Sequence, residues 1–115
     1  MAVDLSAGVP MGDCTAALSW YERLFGTPPA FLPNDTESVR ELGERRCVCI
    51  EQLPGRAGNA LHTLFDDDLD ARVAGITGRG LKPAARETYA NGVRKVTYEY
   101  RDGNRIGFGG GPGNG

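Results

Sequence analysis

The chain has 115 residues, which suffices for one compact domain or for two half-size modules that share a core. Apolar residues make up 40% of it, so it can bury a core. The formal net charge is -2 and there is no basic run, which argues against nucleic acid as a partner. No segment approaches transmembrane length, and the N-terminus lacks a basic flank and a long apolar run. We therefore expect neither a membrane partner nor a secretory signal.

The first half of the chain predicts a strand, a helix and then further strands. Alternating apolar residues predict a strand from Val3 to Pro10. Asp13 is placed to cap a helix over CTAALSWYERLF, and Gly26 is placed to end that helix. Residues 30–53 are strand-like and interrupted by two turn signals, with Arg46–Leu53 as the clearest strand.

The second half repeats this order. A strand is predicted from Asn59 to Phe65, and Asp68 is placed to cap a second helix, whose apolar residues have helical spacing. The dipeptide Asn91-Gly92 lies between two strand-like segments and predicts a hairpin, because both residues tolerate positive φ. Moving the first half forward by 55 residues lays Asp13 on Asp68, which indicates an internal repeat.

The closing strand follows the turn Asp102-Gly103-Asn104. Side chains alternate along a strand, so Ile106 and Phe108 point to one face, while Arg105, Gly107 and Gly109 point to the other. The first face can bury against a helix, and the second is nearly bare backbone. Glycine inside a strand often marks the close approach of a ligand or of another backbone.

These elements predict an α+β fold of two βαβββ modules. Residues 1–54 form the first module, residues 55–110 the second, and residues 111–115 a flexible tail, all within a single structural domain. The helix covers one face of each curved sheet. Two such modules side by side are expected to enclose a cleft between their free faces.

Three stretches carry a resemblance to a known family: DCTAALSWYERLFG, LHTLFDDDLDARVAGITGRGL and VTYEYRDGNRIGFGG. Up to about Gly110 the chain resembles the vicinal oxygen chelate superfamily, which holds glyoxalase I, extradiol dioxygenases, fosfomycin-modifying thiol transferases and bleomycin resistance proteins. The resemblance implies a glyoxalase-like cleft. It also implies a homodimer, which exposed sheet edges would favour on physical grounds as well.

The resemblance further implies a divalent metal held by His, Glu or Gln on the first and last strands of each module. This sequence has Ser6, Leu61 and Gly107 at three of those positions, and the fourth falls near Cys49, with Glu51 next on the same face. Leucine and glycine donate no ligand, and serine is a poor one. We therefore expect no metal and no other cofactor, and the sequence identifies no catalytic residue.

His62 and the cysteines are the remaining candidates for metal ligands. His62, the one histidine, is offset by a single residue from the expected ligand position, so we expect it on the helix-facing or edge side of its strand. Cys47 and Cys49 share a strand face without a second ligand pair, which favours small cavity-lining residues. A thiolate pKa lowered by a neighbouring arginine is the alternative. Together with Cys14 they lack disulfide-framework spacing, which favours reduced thiols in the cytoplasm.

The sequence therefore predicts metal-independent binding of a small organic molecule, as in the bleomycin-resistance branch of that family. The predicted lining consists of cleft-facing strand residues: Ser6, Gly8, Cys47, Cys49, Glu51, Leu61, Thr63, Phe65, Tyr98, Arg105 and Gly107. Two alternatives stay open. One is a metal-dependent glyoxalase- or dioxygenase-like enzyme with a rearranged site of Glu51, His62 and Cys49, and the other is a metal-free enzyme on the same fold.

Overall fold

The computed structural model describes residues 5–29, 31–34, 36–43 and 46–112. Its elements follow the repeated order strand, helix and three strands. In the first half these are β1 (Leu5–Met11), α1 (Cys14–Phe25), β2 (Phe31–Asn34), β3 (Glu37–Gly43) and β4 (Arg46–Gln52). In the second half they are β5 (Leu61–Phe65), α2 (Leu69–Gly78), β6 (Ala85–Thr88), β7 (Arg94–Glu99) and β8 (Arg105–Gly110).

The strands form two four-stranded sheets of the same topology. The first sheet has the order β1-β4-β3-β2, and the second has the order β5-β8-β7-β6. In each sheet the first strand of the half pairs in parallel with the last, and the remaining pairs are antiparallel. The predicted α+β class and the repeated βαβββ order are confirmed. Val3 and Asp4 of the first predicted strand and residues 113–115 of the predicted tail lie outside the described residues.

Both helices begin at the predicted aspartates. The Asp13 side chain accepts from the Ala16 N–H at 3.1 Å, and the Asp68 side chain accepts from the Ala71 N–H at 3.1 Å. Each carboxylate satisfies one of the N–H groups that the first helical turn leaves without an acceptor. Gly26 ends α1 with φ of 81°, a conformation that glycine adopts without the Cβ penalty.

One core joins the two halves. Tyr21 and Leu24 of α1 are fully buried, and the ring of Phe25 packs edge-on against Phe108 of β8 with centroids 6.4 Å apart. Ile106 and Phe108 are buried on the helix-facing side of the second sheet, as the alternation in the closing strand predicts. The helix-facing residues of both sheets belong to this core, so the other face of each sheet turns away from it. We call these the open faces.

The β6–β7 hairpin forms where the sequence predicts it, with a different turn. The Gly92 N–H donates to the Tyr89 carbonyl at 2.9 Å, so Ala90 and Asn91 occupy the turn centre. Gly92 follows them at φ of 88°. This is a four-residue turn whose last residue is a left-handed glycine, rather than a turn with Asn91 and Gly92 at its centre. The glycine is still required, one position later than expected.

Asn104 connects the second half to β1 and to residues 53–60 between β4 and β5, which we call the linker. Its Oδ1 accepts from the Gly58 N–H at 3.1 Å and from the Ala60 N–H at 2.9 Å. Its Nδ2 donates to the Pro10 carbonyl, and only 1% of the residue is exposed. A buried amide that satisfies these three partners fixes the linker, because any of those groups left alone would remain without a partner.

The free edge of β1 is covered by side chains of the second half. His62 Nε2 lies 2.8 Å from the Gly8 carbonyl oxygen, and Asn104 serves the Pro10 carbonyl two residues along. An uncovered edge strand would offer these carbonyls to another chain. A second contact between the two halves is made by Arg79, whose Nε donates to the Arg23 carbonyl at 2.6 Å and so caps the C-terminus of α1.

We expect Asn104→Ala to lower the free energy of unfolding by about 2–3 kcal/mol, because buried N–H groups of the linker lose their acceptor. Urea unfolding followed by circular dichroism measures this change. Asn59→Ala, at an exposed position of the same linker, is the matched control and should change stability by less than about 0.5 kcal/mol. Equal effects of the two substitutions would contradict the assigned role of Asn104.

Candidate ligand-binding site

The structure divides the predicted lining into two groups, one on each open face. The first sheet carries five of the residues in two adjacent strands: Ser6 and Gly8 of β1, and Cys47, Cys49 and Glu51 of β4. Ser6 is level with Cys47, and Gly8 with Cys49, in the parallel register. Ser6 and Gly8 are exposed, whereas the two cysteines and Glu51 are half-buried.

The second sheet carries the more apolar group. Leu61 is 58% exposed and Phe65 is 78% exposed, which is unusual for such large apolar side chains. Thr63 lies between them on β5 and is level with Gly107 of β8. Arg105 is exposed and its Nε donates to a Glu99 carboxylate oxygen at 2.7 Å. This face therefore offers an apolar surface together with a few polar groups.

The prediction that Tyr98 lines the cleft is wrong. Tyr98 is level with Ile106 in the β7–β8 register and is fully buried on the helix-facing side. Burial raises the pKa of its phenol, and the hydroxyl has no partner among the described residues. The alternation of β7 instead places Thr97, which is level with Gly107, on the open face. The sequence shows this alternation without showing which of its two sets faces the core.

The glycine strip of β8 is not bare backbone. A Cβ at Gly107 would lie 2.8 Å from Lys95 Cε and 3.4 Å from Thr63 Oγ1. A Cβ at Gly109 would lie 2.8 Å from Cε1 of the Phe65 ring. The glycines make room for these neighbouring side chains, which cover the strip and leave both glycines buried. Lys95 is not among the lining residues predicted from the sequence, although the alternation of side chains within β7 could have placed it beside Gly109.

His62 lies on the helix-facing side of β5, level with Ile106. Its Nε2 is 2.8 Å from a carbonyl oxygen, so this nitrogen must carry a proton to donate there. Among the described residues, His62 is not in the group of metal-ligating side chains that come together with Cys49 and Glu51. The geometry therefore does not assemble the rearranged metal site of Glu51, His62 and Cys49.

A different set of donor atoms meets on the first open face. One ligand atom each of Glu37, Cys49 and Glu51 lies within 4.8 Å of the others, and all three residues are half-buried. Glu37 and Glu51 are directly level across the antiparallel β3–β4 pair. Partial burial and the carboxylates of Glu51 and Glu37 raise the pKa of the Cys49 thiol. The alternative of a lowered thiolate pKa is therefore wrong for this cysteine.

The metal that the superfamily implies does not fit the inherited positions. Leu61 offers only hydrocarbon, and the space at Gly107 is occupied by the stem of Lys95, which carries a cation. A divalent ion needs three or four converging N, O or S ligands, and a neighbouring ammonium disfavours it further. Ser6 and Cys49, the remaining two positions, cannot supply that set. We derive no chemistry through a metal at these positions.

The acidic run after β5 has structural roles. Asp68 caps α2, as described above. Asp66 pairs with Arg72 at 2.8 Å, and this hydrogen bond lowers the pKa of its carboxyl. Asp70 pairs with Arg94 of β7 at 2.7 Å. These contacts tie α2 to its own turn and to the second sheet.

Comparison with known proteins gives a clear family. No family model and no curated protein matches the chain. Among solved structures, a glyoxalase / bleomycin resistance protein from Catenulispora acidiphila shares 50% identity over 96% of this chain and 100% of its own, with a TM-score of 0.92. A bleomycin-binding protein complexed with bleomycin shares 19% identity over 95% of this chain and 98% of its own, with a TM-score of 0.75. Lactoylglutathione lyase from Agrobacterium tumefaciens shares 17% over 96% of this chain and 95% of its own, also with a TM-score of 0.75.

The chain belongs to the glyoxalase / bleomycin resistance protein family, consistent with the vicinal oxygen chelate superfamily that its sequence resembles. The two more distant structures share its fold. Among the described residues, no helix is long and apolar enough to cross a membrane. A shared fold leaves the chemistry of the site to be argued from its own residues.

We expect Cys49 to react slowly with iodoacetamide at pH 8, because its raised pKa leaves little thiolate. Glu51→Gln removes the carboxylate nearest to the sulfur and should accelerate the reaction several-fold. Site-resolved mass spectrometry of protein treated with a chelator measures the rate. Glu99→Gln, on the second open face, is the control and should leave the rate unchanged. A Glu51→Gln rate equal to that of the unmodified chain would contradict the electrostatic cause.

Proposed function

We propose that the protein binds a small organic molecule on its open faces without a metal. The observation that carries this proposal is the occupancy of the glycine strip. Where the superfamily would place a metal-binding acid, Gly107 leaves space that the stem of Lys95 fills, with two threonine hydroxyls beside it. Such a surface can hold an organic molecule by contact and hydrogen bonds, and it supplies no Lewis acid.

The proposed lining keeps the predicted residues other than Tyr98 and adds two. It consists of Ser6, Gly8, Cys47, Cys49, Glu51, Leu61, Thr63, Phe65, Arg105 and Gly107, with Lys95 and Thr97. The large exposed apolar residues on β5 support a role in binding, because a ligand that covers them removes apolar surface from water. The structural similarity to a bleomycin-binding protein complexed with bleomycin also supports a small organic ligand.

The proposal includes a homodimer whose clefts are completed by both subunits. Because both helix-facing surfaces share one core, the open faces of a single chain turn away from it and stay available to a second copy. We also propose that residues 1–54 and 55–110 are the two modules of one domain. In this proposal the protein binds neither nucleic acid nor a membrane. A cytoplasmic location is supported by three free cysteines.

We expect a bleomycin-type glycopeptide or a planar polyaromatic antibiotic to raise the melting temperature, in a thermal-shift screen of chelator-treated protein. A ligand present at 100 times its Kd adds about 2.7 kcal/mol, which corresponds to roughly 10 °C for a domain of this size. Leu61→Asp should abolish the shift, because it places a charge on the apolar open face. Ser19→Asp, on the exposed side of α1, should preserve it. The absence of any stabilising compound, or a shift that requires added metal, would contradict the proposal.

A metal-dependent function is a second candidate, favoured by the group of Glu37, Cys49 and Glu51. It predicts that chelator-treated protein binds stoichiometric Co²⁺ with a thiolate charge-transfer absorption in the near ultraviolet. Cys49→Ser should abolish that absorption, while Cys47→Ser, on the same strand face, should preserve it. The absence of the absorption, or its survival in Cys49→Ser, would remove this candidate.

A further inference from the structure

A cavity of about 200 Å³ lies on the second open face, beside the β6–β7 hairpin. We call it the hairpin cavity, and define it by Thr63, Phe65, Tyr89, Lys95 and Gly109, which are among its lining residues. Complete binding sites for drug-sized molecules are larger, at roughly 300–1,000 Å³. The hairpin cavity therefore suits one ring system of a larger ligand.

Two aromatic side chains border this cavity. Phe65 is 78% exposed and Tyr89 is 45% exposed, although both rings have apolar faces that water solvates poorly. Phe65, Gly109 and Lys95 are level with one another across β5, β8 and β7. Gly109 is needed in the middle of this row, because a Cβ there would lie 2.8 Å from the Phe65 ring. The row holds an aromatic face and a cation beside each other.

The charge that the cavity offers is that of Lys95. The neighbouring Arg94 is engaged, since its Nη1 pairs with Asp70 at 2.7 Å and its Nε donates to the Gly111 carbonyl at 3.0 Å. Lys95 has no ion pair among the described residues. Glu87 is level with Lys95 across the hairpin. Its carboxylate lies beside the phenol of Tyr89, since partial burial and this carboxylate raise the pKa of that phenol.

We propose that the hairpin cavity is a subsite for a planar aromatic group carrying an anionic substituent, with the ring against Phe65 and Tyr89 and the anion paired with Lys95. The inference rests on the proposed function and narrows its ligand to aromatic anions, such as aromatic carboxylates. Aromatic faces gain from contact with a planar ring, and a charge-assisted hydrogen bond fixes the anion. Thr63 supplies a hydroxyl at the border of the same cavity.

A larger cavity of about 290 Å³ lies between α2 and the β6–β7 pair, on the helix-facing side of the second sheet. Among its lining residues, Asp70 and Arg94 are already paired with each other. Lys95 and Glu87 also border it, but none of the described residues that line it is aromatic. We therefore assign the aromatic ring to the hairpin cavity rather than to this one.

The test uses 2-naphthoate and its neutral analogue 2-naphthalenemethanol, titrated into the full chain by isothermal calorimetry. We expect 2-naphthoate to bind roughly tenfold more tightly than the alcohol, because only the anion pairs with Lys95. Lys95→Met keeps an apolar stem over Gly107 and should remove the preference for 2-naphthoate. Lys82→Met, at an exposed position outside the cavity, is the matched control and should preserve the preference.

Substitutions of the aromatic and acidic residues provide further tests. Phe65→Ala and Tyr89→Ala should each weaken the binding of both compounds severalfold, because both compounds contain the naphthalene ring. Glu87→Gln should strengthen 2-naphthoate alone, because it removes a carboxylate level with Lys95. Circular dichroism of each variant verifies the fold. Equal affinities of the two compounds, or a preference that survives Lys95→Met, would overturn the proposal.

Failure of this proposal is distinguishable from failure of the proposed function. If an antibiotic stabilises the protein while 2-naphthoate does not bind, the aromatic-anion subsite is wrong and the binding function stands. If neither compound class binds, both are wrong. If Phe65→Ala dissociates a dimer in sedimentation velocity and leaves 2-naphthoate affinity unchanged, Phe65 belongs to a subunit interface and the subsite is overturned.

Discussion

The Asn104 amide is the contact on which the arrangement of the two halves depends. It binds the linker through Gly58 and Ala60, and it binds β1 through Pro10, while almost no part of it reaches solvent. The backbones of Gly58 and Gly103 approach each other closely beside it, at positive φ in both residues. A single buried side chain thus sets the distance between the linker, the first strand and the closing strand.

This junction decides where the open faces lie. Because α1 packs on residues of both sheets, the helix-facing sides of the two sheets are buried in one core. The open faces are therefore the sides that a ligand or a second subunit can contact. The two open faces differ in chemistry. The first gathers two glutamates and two cysteines, whereas the second presents Leu61, Phe65 and Lys95. A ligand held between such faces from two subunits would meet acids on one side and aromatic rings on the other.

The glycine strip of β8 is the local feature on which the proposals above depend. Gly107 leaves space that a side chain would fill, and Lys95 enters that space. Gly109 does the same for Phe65. The two glycines therefore let an aromatic ring and an ammonium group lie against the backbone of β8. The proposals above follow from these contacts more than from the fold, because a shared fold does not fix a function.

The sequence by itself determined the elements and their order, because caps, turns and hydrophobic periodicity act over a few residues. Asp13, Asp68, Gly26 and the alternation of Ile106 and Phe108 are local signals of this kind, and each has its expected place in the structure. Only the tertiary structure decided what the open faces carry. Tyr98 lies in the core and Lys95 lies over Gly107 because of the β7–β8 register, which is set by packing between distant segments. That register decides which of the two alternating sets of side chains faces the core.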